Sequence, residues 1–384
     1  MQRRTFQLGL AASLMAPAAL MAPAAHAAPV YQGPNVILVR FGGGVRRAET
    51  IDAAATWAPY LRHVLAPRGT FIPDLRIERL DGVNTSHAEG TLNLLTGRYL
   101  AYRETATEFL ADRLEPTEPT LFEYLRRSFD IPSDQVLLVN GEDRPQEEFF
   151  TLGGGDHQGL SLRSEMLSLH RYKLYRTAAA LAEGGLTDDA RAGLEAEQAA
   201  LQQADPRGAT PEPSARVTAF WAKWRAMYGD TGLRNARGDR LLTELAVQAL
   251  AQLQPRLMMV NYQDPDYVHW GNATHYTRAI AIIDEGLQRL VTAVEADPFY
   301  RDNTIFVITP DCGRDDNALA DLPFQHHFNS RAAHEVWAVI FGAGIAKGVI
   351  DRMVDQSAIA PTIAAAMGFA ADRAEGTVLD GVFL

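Results

Sequence analysis

The most regular feature of the chain is a set of five short runs that are apolar at almost every position. Val, Ile, Leu, Met and Phe fill these runs without the polar alternation of a half-exposed strand, so we expect strands that are covered on both faces. The runs cover residues 35–41, 135–139, 256–262, 303–309 and 336–341. Together they predict a central sheet with a layer packed on each side.

Helical patterns lie between these strands. Thr120 and, three residues later, Glu123 form a capping box at the start of one helix. Apolar residues recur at helical spacing from Thr277 to Leu290 in another. This alternation of strands and helices predicts right-handed crossovers and a doubly wound, mostly parallel α/β sheet.

The middle of the chain has a different pattern. Between residues 159 and 253 no strand is expected, and helical stretches occur at 161–183, 188–203, 214–228 and 239–253. We interpret residues 155–253 as a helical cap inserted into one α/β core domain, which comprises residues 28–154 and 254–384.

Residues 1–27 are typical of an export signal. Arg3 and Arg4 precede an apolar Ala/Leu/Met run, similar to a twin-arginine signal, and an Ala-His-Ala cleavage site ends at Ala27. An ordinary secretory signal is the alternative. Prolines interrupt the run, and no other segment approaches the roughly 20 apolar residues of a membrane span. We expect a periplasmic or extracellular protein without a membrane span.

Composition and charge narrow the classes of partner. An apolar content of 47% and a charged content of 22% are ordinary for a folded globular protein. A net charge of −11 argues against nucleic acid or an anionic membrane as the main partner. Bound divalent cations can reverse the local field, so a small anionic substrate remains compatible with this charge. Cys312 is the single cysteine, which excludes an intrachain disulfide.

Side chains that bind metals are concentrated at the ends of the later strands. The carboxyl ends of parallel strands border the crevice in which α/β proteins build their sites. We therefore predict a shared metal centre. Its candidate ligands are Asp264, Asp266, His269, Asp311, Cys312, His326 and His327.

With these clusters in place, the chain resembles the alkaline phosphatase superfamily, which includes sulfatases, nucleotide phosphodiesterases and cofactor-independent phosphoglycerate mutases. The opening strand, the signature Leu-Leu-Thr-Gly-Arg-Tyr at residues 94–99 and the metal clusters follow in the family's order between residues 35 and 345. The resemblance implies a doubly wound α/β fold. It also implies hydrolysis of anionic esters that two divalent metals clamp.

The resemblance assigns the ligands of both metals. The first metal would take Asp264 or Asp266, then His269, then His326 or His327. The second would take Asp311 with Cys312, which replaces the family's His and can bind zinc as a thiolate. Gly42 stands where the family has a further Asp. We expect one tightly bound divalent ion, zinc, and a second that is weaker or absent.

The glycines after the first strand have two interpretations. The backbone N–H groups of Gly42, Gly43 and Gly44 can approach an anionic substrate, assisted by Arg46 or Arg47. Alternatively, the run Gly42-Gly43-Gly44 forms a tight turn that needs positive φ.

The nucleophile is ambiguous. In the family it lies nine residues before the Thr of the Thr-Gly pair, and from Thr96 this count reaches His87. Either Thr85 or Ser86 attacks from a slightly longer loop, or His87 occupies the site and joins Asp311 and Cys312 as a zinc ligand.

The expected function is that of an exported, metal-dependent hydrolase of phosphate, phosphodiester or sulfate esters. The alternative is a superfamily member that has lost catalysis and serves as a binding or structural protein of the cell envelope. Sulfatases of the usual kind are disfavoured, because residues 86–90 lack the Pro and Arg that direct formylglycine formation.

The export signal gives a direct test. Because the paired arginines resemble a twin-arginine signal, changing both Arg3 and Arg4 to Lys is expected to block the appearance of mature protein outside the cytoplasm. Cell fractionation with N-terminal sequencing, which should find Ala28 at or near the start of the exported protein, measures this. Normal export of the double Lys variant would disprove the twin-arginine assignment.

Overall fold

The computed structural model describes residues 28–78, 82–83, 85–106, 113–141, 160–203, 212–230, 238–269, 271–316, 324–326 and 330–384. The predicted export signal at residues 1–27 therefore lies outside the described residues. Within the described part of the chain, no helix is long and apolar enough to cross a membrane.

Eleven strands and ten α-helices are described. The strands are β1 (Asn35–Phe41), β2 (Thr70–Arg76), β3 (Tyr102–Ala106), β4 (Arg113–Pro116), β5 (Val136–Val139), β6 (Glu165–Leu167), β7 (Leu257–Tyr262), β8 (Thr304–Thr309), β9 (Glu335–Gly342), β10 (Gly348–Val349) and β11 (Val354–Asp355). The helices are α1 (Arg47–Thr50), α2 (His87–Thr96), α3 (Leu121–Ser128), α4 (Leu169–Glu183), α5 (Asp188–Gln203), α6 (Ala215–Tyr228), α7 (Asp239–Leu253), α8 (Ala273–Ala296), α9 (Arg331–His334) and α10 (Ile359–Met367).

Nine strands form one mostly parallel sheet in the order β10-β2-β9-β8-β1-β7-β5-β6, with β11 also paired to β2. β1 lies at its centre and is parallel to β7 and β8, so that Leu38 pairs with Met259 on one side and with Val307 on the other. β9 runs antiparallel to β8 and β2. The short hairpin of β3 and β4 forms a second sheet.

Both faces of the main sheet are covered. On one face Ile37 and Val39 of β1 pack with the apolar stripes of α7 and α8, and on the other face Val36 and Leu38 pack with α2, α3 and α10. Continuous apolar strands are required because every β1 residue is buried. The predicted doubly wound, mostly parallel α/β fold is confirmed.

The capping box at Thr120 and Glu123 starts α3 as predicted. Six of the eleven described strands were not predicted, namely β2, β3, β4, β6, β10 and β11. β2 carries Pro73 and Asp74 at a register shift between Ile72 and Leu75, which breaks its apolar pattern. The expectation that residues 159–253 contain no strand is wrong, since β6 lies there. β6 was missed because its three residues are too few to show a period.

The division into a core and a cap at residues 155–253 stays a prediction. Within that range β6 pairs with β5 of the main sheet, and α7 packs on α8 and β7. α5, in contrast, has no buried residue.

The carboxylate of Asp284 on α8 provides a test of how the layers are joined. It accepts hydrogen bonds from the backbone N–H groups of Tyr60 and Leu61, at 2.9 and 2.8 Å, where a helical turn begins. Asp284→Ala leaves both donors without this acceptor and is expected to cost about 2–3 kcal/mol of unfolding free energy, measured by urea denaturation. Glu285→Ala, the neighbouring exposed position, should cost less than about 1 kcal/mol. Equal losses in the two variants would contradict this assignment.

Candidate metal centre

The candidate site lies at the carboxyl edge of the three central parallel strands. β1 runs into the glycine turn at residues 42–44, β7 into the helical turn Asp264–Tyr267, and β8 into Asp311 and Cys312. His87 is the first residue of α2, and His326 lies in the segment before α9. Because parallel strands end at the same edge, these segments are brought together as the sequence predicted.

Three imidazoles converge on one carboxylate oxygen. Oδ1 of Asp266 lies 2.7 Å from Nε2 of His269 and 3.4 Å from Nε2 of His326, and it is also in contact with Nε2 of His87. The ligand atoms of these four residues all lie within 4.8 Å of one another. His269 is the most accessible of them, with 18% of its side chain exposed.

The far side of each ring fixes its tautomer. Each Nδ1–H donates to an acceptor, which leaves Nε2 directed at the centre of the cluster. These acceptors are the Asp311 carboxylate for His87 at 2.7 Å, Oε1 of Gln325 for His269 at 3.0 Å, and the Thr85 carbonyl oxygen for His326 at 2.6 Å. The lone pairs of three Nε2 atoms and one carboxylate oxygen repel one another unless protons or a cation lie between them. A divalent metal ion meets this requirement, so the residues present fit such an ion.

The pKa values of the cluster residues also favour a bound cation. Burial alone would lower the pKa of His87, but the carboxylates of Asp266 and Asp311 outweigh burial and raise that pKa well above its usual value. Burial likewise opposes ionisation of Asp266, yet His87 and the hydrogen bonds from His269 and His326 hold the pKa of Asp266 well below its usual range. An extra positive charge is therefore favoured at this point.

A second group of possible ligands shares His87. His87, Asp311 and Cys312 also lie within 4.8 Å of one another, and all three are buried. Burial raises the pKa of the Cys312 thiol to about 11, and the Asp311 charge adds to this effect. Burial opposes ionisation of Asp311, but His87 and Arg40 lower its pKa to about 2.

The loops that carry these groups are held by a buried arginine. Arg314 Nε donates to the Gly44 carbonyl at 2.7 Å, and its Nη atoms donate to the carbonyl oxygens of Pro265 at 3.1 Å and Val268 at 3.3 Å. Further bonds reach the carbonyl oxygens of Gly43 and Phe324. One guanidinium thus ties together the loops after β1, β7 and β8.

The glycine turn packs against those loops. A Cβ atom on Gly42 would lie 2.0 Å from the Tyr262 carbonyl oxygen, and Gly43 and Gly44 have φ values of +93° and +65°. These values meet the requirement of a tight turn. Arg46 pairs with Glu49 at 2.9 Å and lies over the Phe324 ring at 5.0 Å. The substrate-binding role of Gly42, Gly43 and Arg46 stays a prediction.

The remaining predicted residues divide as follows. Asp264 belongs to neither described group of ligands, whereas Asp266 does. His327 lies outside the described residues. The Thr85 hydroxyl donates to the His326 carbonyl oxygen, and Ser86 is the N-cap residue of α2.

Asp239 is a residue of the site that the sequence did not predict. The buried Asp239 at the start of α7 accepts hydrogen bonds from the backbone N–H groups of Gln263 and Asp264, both at 2.9 Å, and so fixes the turn that presents Asp266. Burial, followed by repulsion from Asp264, raises the pKa of Asp239 well above its usual value. In the sequence, Asp239 is indistinguishable from an ordinary acidic residue in a first helical turn.

Known proteins share this architecture. The family model described as Metalloenzyme superfamily matches residues 216–371, a span that holds Asp266, His269, Asp311, Cys312 and His326. The chain is similar to the solved structure of wild-type alkaline phosphatase PafA, with a TM-score of 0.57 and 11% identity, over 92% of this chain and 99% of that one. The resemblance to the alkaline phosphatase superfamily is confirmed at the level of the fold.

Two further structures agree. A 2-O GAG sulfatase has a TM-score of 0.54 at 13% identity, covering 91% of this chain and 73% of that one. A protein of the alkaline phosphatase superfamily from Vibrio parahaemolyticus has a TM-score of 0.52 at 12% identity, covering 91% and 71%. No curated protein sequence matches this chain.

The geometry of the cluster predicts that His269 is required for metal binding. His269→Ala removes one of the four converging groups and is expected to abolish retention of the divalent ion, which elemental analysis of dialysed protein measures. His275→Ala, at an exposed position on α8, should retain the ion at the wild-type ratio. Equal retention by both variants would show that the cluster does not bind metal.

Proposed function

We propose that this protein is an exported, metal-dependent hydrolase of phosphate, phosphodiester or sulfate esters, with zinc as its tightly bound ion. The observation that carries the proposal is the convergence of three Nε2 atoms on Asp266 at the carboxyl edge of the sheet. Three imidazoles and one carboxylate form a nitrogen and oxygen ligand set typical of zinc. The Metalloenzyme match over this region supports the proposal.

The proposed ligands are His87, Asp266, His269 and His326. When bound, the ion supplies Lewis-acid polarisation of the ester and neutralises its charge. The positive charge also lets a chain with a net charge of −11 accept an anionic substrate. The proposed partner is accordingly a small anionic ester rather than a macromolecule.

Of the hydroxyls of Thr85 and Ser86, that of Ser86 is the better nucleophile. Its Oγ–H donates to Oε2 of Glu89 at 2.9 Å, which places a carboxylate base on the attacking oxygen. It directly precedes His87 and caps α2, whose first N–H groups favour a nearby anion. The Thr85 hydroxyl is buried and already donates to the His326 carbonyl oxygen.

In the proposed first step the Ser86 oxygen forms a bond to the phosphorus or sulfur atom, its proton passes to Glu89, and the bond from that atom to the alcohol oxygen breaks. The alcoholate leaves and takes a proton from solvent, and Glu89 releases its own proton to solvent. Tyr102, whose hydroxyl donates to the other oxygen of Glu89, orients this carboxylate. In the second step water attacks the same atom, Glu89 accepts a proton from the water, and the bond to the Ser86 oxygen breaks. The Ser86 oxygen then regains its proton from Glu89. His87 has no part in proton transfer here, because Asp311 and the metal centre engage both its nitrogens.

The proposal is tested with zinc-loaded mature protein and p-nitrophenyl phosphate, bis-p-nitrophenyl phosphate and p-nitrophenyl sulfate. Turnover of at least one ester is expected. Ser86→Ala should then lower kcat by several orders of magnitude, whereas Thr85→Val should retain much of the activity. Metal analysis of each variant separates loss of the nucleophile from loss of the ion.

Three outcomes would change this account. If Thr85→Val is the inactive variant and Ser86→Ala is active, Thr85 is the nucleophile. If both hydroxyl variants turn over with their metal bound and only His87→Ala is inactive, the mechanism by hydroxyl attack is wrong. A metal-bound wild type that hydrolyses none of the three esters would favour the binding protein of the cell envelope.

A further inference from the structure

Arg40 is a fully buried cation directly behind the metal centre. It is the penultimate residue of β1, and its side chain lies on the sheet face that α2 covers. Nη1 lies 3.6 Å from Oδ2 of Asp311 and donates to the Thr91 hydroxyl at 2.5 Å. A guanidinium keeps its charge at any pH at which the protein is folded. A permanent positive charge is therefore built in beside Asp311.

The same Asp311 oxygen accepts the Nδ1–H of His87 at 2.7 Å. A neutral imidazole has one N–H and one lone pair. Because Nδ1–H donates a hydrogen bond to Asp311, the lone pair of His87 is on Nε2. This lone pair is directed at Asp266 and at the centre of the cluster that Asp266 forms with His269 and His326. His87 thus belongs to the four-residue group, and its bond to Asp311 is the one that orients a metal-ligating histidine.

The remaining members of the second group make a poor cation site. Without His87 it consists of Asp311 and Cys312, and Arg40 already provides the counter-charge of Asp311. A divalent ion placed there would lie within a few ångströms of a guanidinium in a fully buried environment. Like charges at such distances repel strongly where water does not screen them.

We propose that Arg40 stands in for a second metal ion, so that the protein has a mononuclear centre in which Asp311 positions His87 and neither Asp311 nor Cys312 is a ligand. This inference rests on the metal centre of the proposed function and does not depend on which ester is hydrolysed. Arg40, Asp311, His87 and the metal ion are linked in series, with the Asp311 carboxylate between the Arg40 guanidinium and the neutral imidazole that binds the ion. Arg40 and Asp311 are positioning residues, since they act through His87.

The first test uses the wild-type protein. After zinc loading and dialysis, elemental analysis should give one zinc per chain. Replacement by Co²⁺ should give the visible bands of a four-coordinate ion without the near-ultraviolet charge-transfer band that a cobalt–thiolate bond produces. Cys312→Ser should leave both the stoichiometry and the cobalt spectrum unchanged.

The second test uses variants of the two positioning residues, with zinc affinity measured by chelator competition. Asp311→Asn should retain one zinc and bind it about 10–100-fold more weakly, as expected when the partner of a metal-ligating histidine is altered. Arg40→Met removes the charge and should allow a second equivalent of zinc. Arg40→Lys, which keeps the charge, should remain at one.

Two zinc ions per wild-type chain, or a thiolate band that Cys312→Ser abolishes, would overturn the inference even if the Arg40 variants fail to fold. A wild type that takes up no zinc would overturn both the inference and the metal centre. A protein with one zinc, no thiolate band and no activity on any ester would refute the proposed hydrolysis and leave this inference intact.

Discussion

Three imidazole rings meet at one carboxylate because a hydrogen bond from the Nδ1 atom of each ring fixes its orientation. Nδ1 of His87, His269 and His326 donates in each case to an acceptor outside the cluster, so rotation of any ring would break a hydrogen bond that is buried for His87 and His326 and part-buried for His269. Leaving a buried donor unpaired costs about 1–3 kcal/mol, which fixes the ring orientations more firmly than packing alone. The site is thus preorganised to receive positive charge, and the surrounding fold serves to keep these acceptors in place.

The backbone of the site depends on two buried polar side chains. Arg314 binds the carbonyl oxygens of the loops after β1 and β7, and Asp239 binds the N–H groups of the turn that contains Asp266. The two residues satisfy opposite ends of the peptide groups in a region without regular structure. Their loss is expected to misplace ligands they do not touch, since buried loops without such partners carry unpaired polar groups.

Much of the fold follows from the sequence because its main strands are buried on both faces. The run at residues 35–41 matches β1 in full, and three others begin one residue before their strands. The run at residues 336–341 is one residue shorter than β9 at each end. Irregular elements escaped prediction for physical reasons. A proline and a register shift disguise β2, and β6 is too short to have a period.

The sequence predicted the residue types of the candidate site but not which of these residues contact one another. The residue types at the strand ends pointed to a metal, yet spacing left Asp264 and Asp266 equivalent. Only the turn Asp264–Tyr267, held by Asp239, directs Asp266 to the cluster. The role of Arg40 was not predicted, because in the sequence an arginine near the end of an apolar strand resembles an exposed residue. In the structure α2 covers it, and it is fully buried.

A crystal of the zinc-loaded protein, with an anomalous difference map recorded at the zinc edge, tests the central claim most directly. We expect a single peak about 2 Å from Nε2 of His87, His269 and His326 and from the Asp266 carboxylate. We also expect the Arg40 guanidinium against Asp311, with no anomalous density between Asp311 and Cys312. A peak bonded to the Cys312 sulfur, or no peak at the three imidazoles, would contradict it.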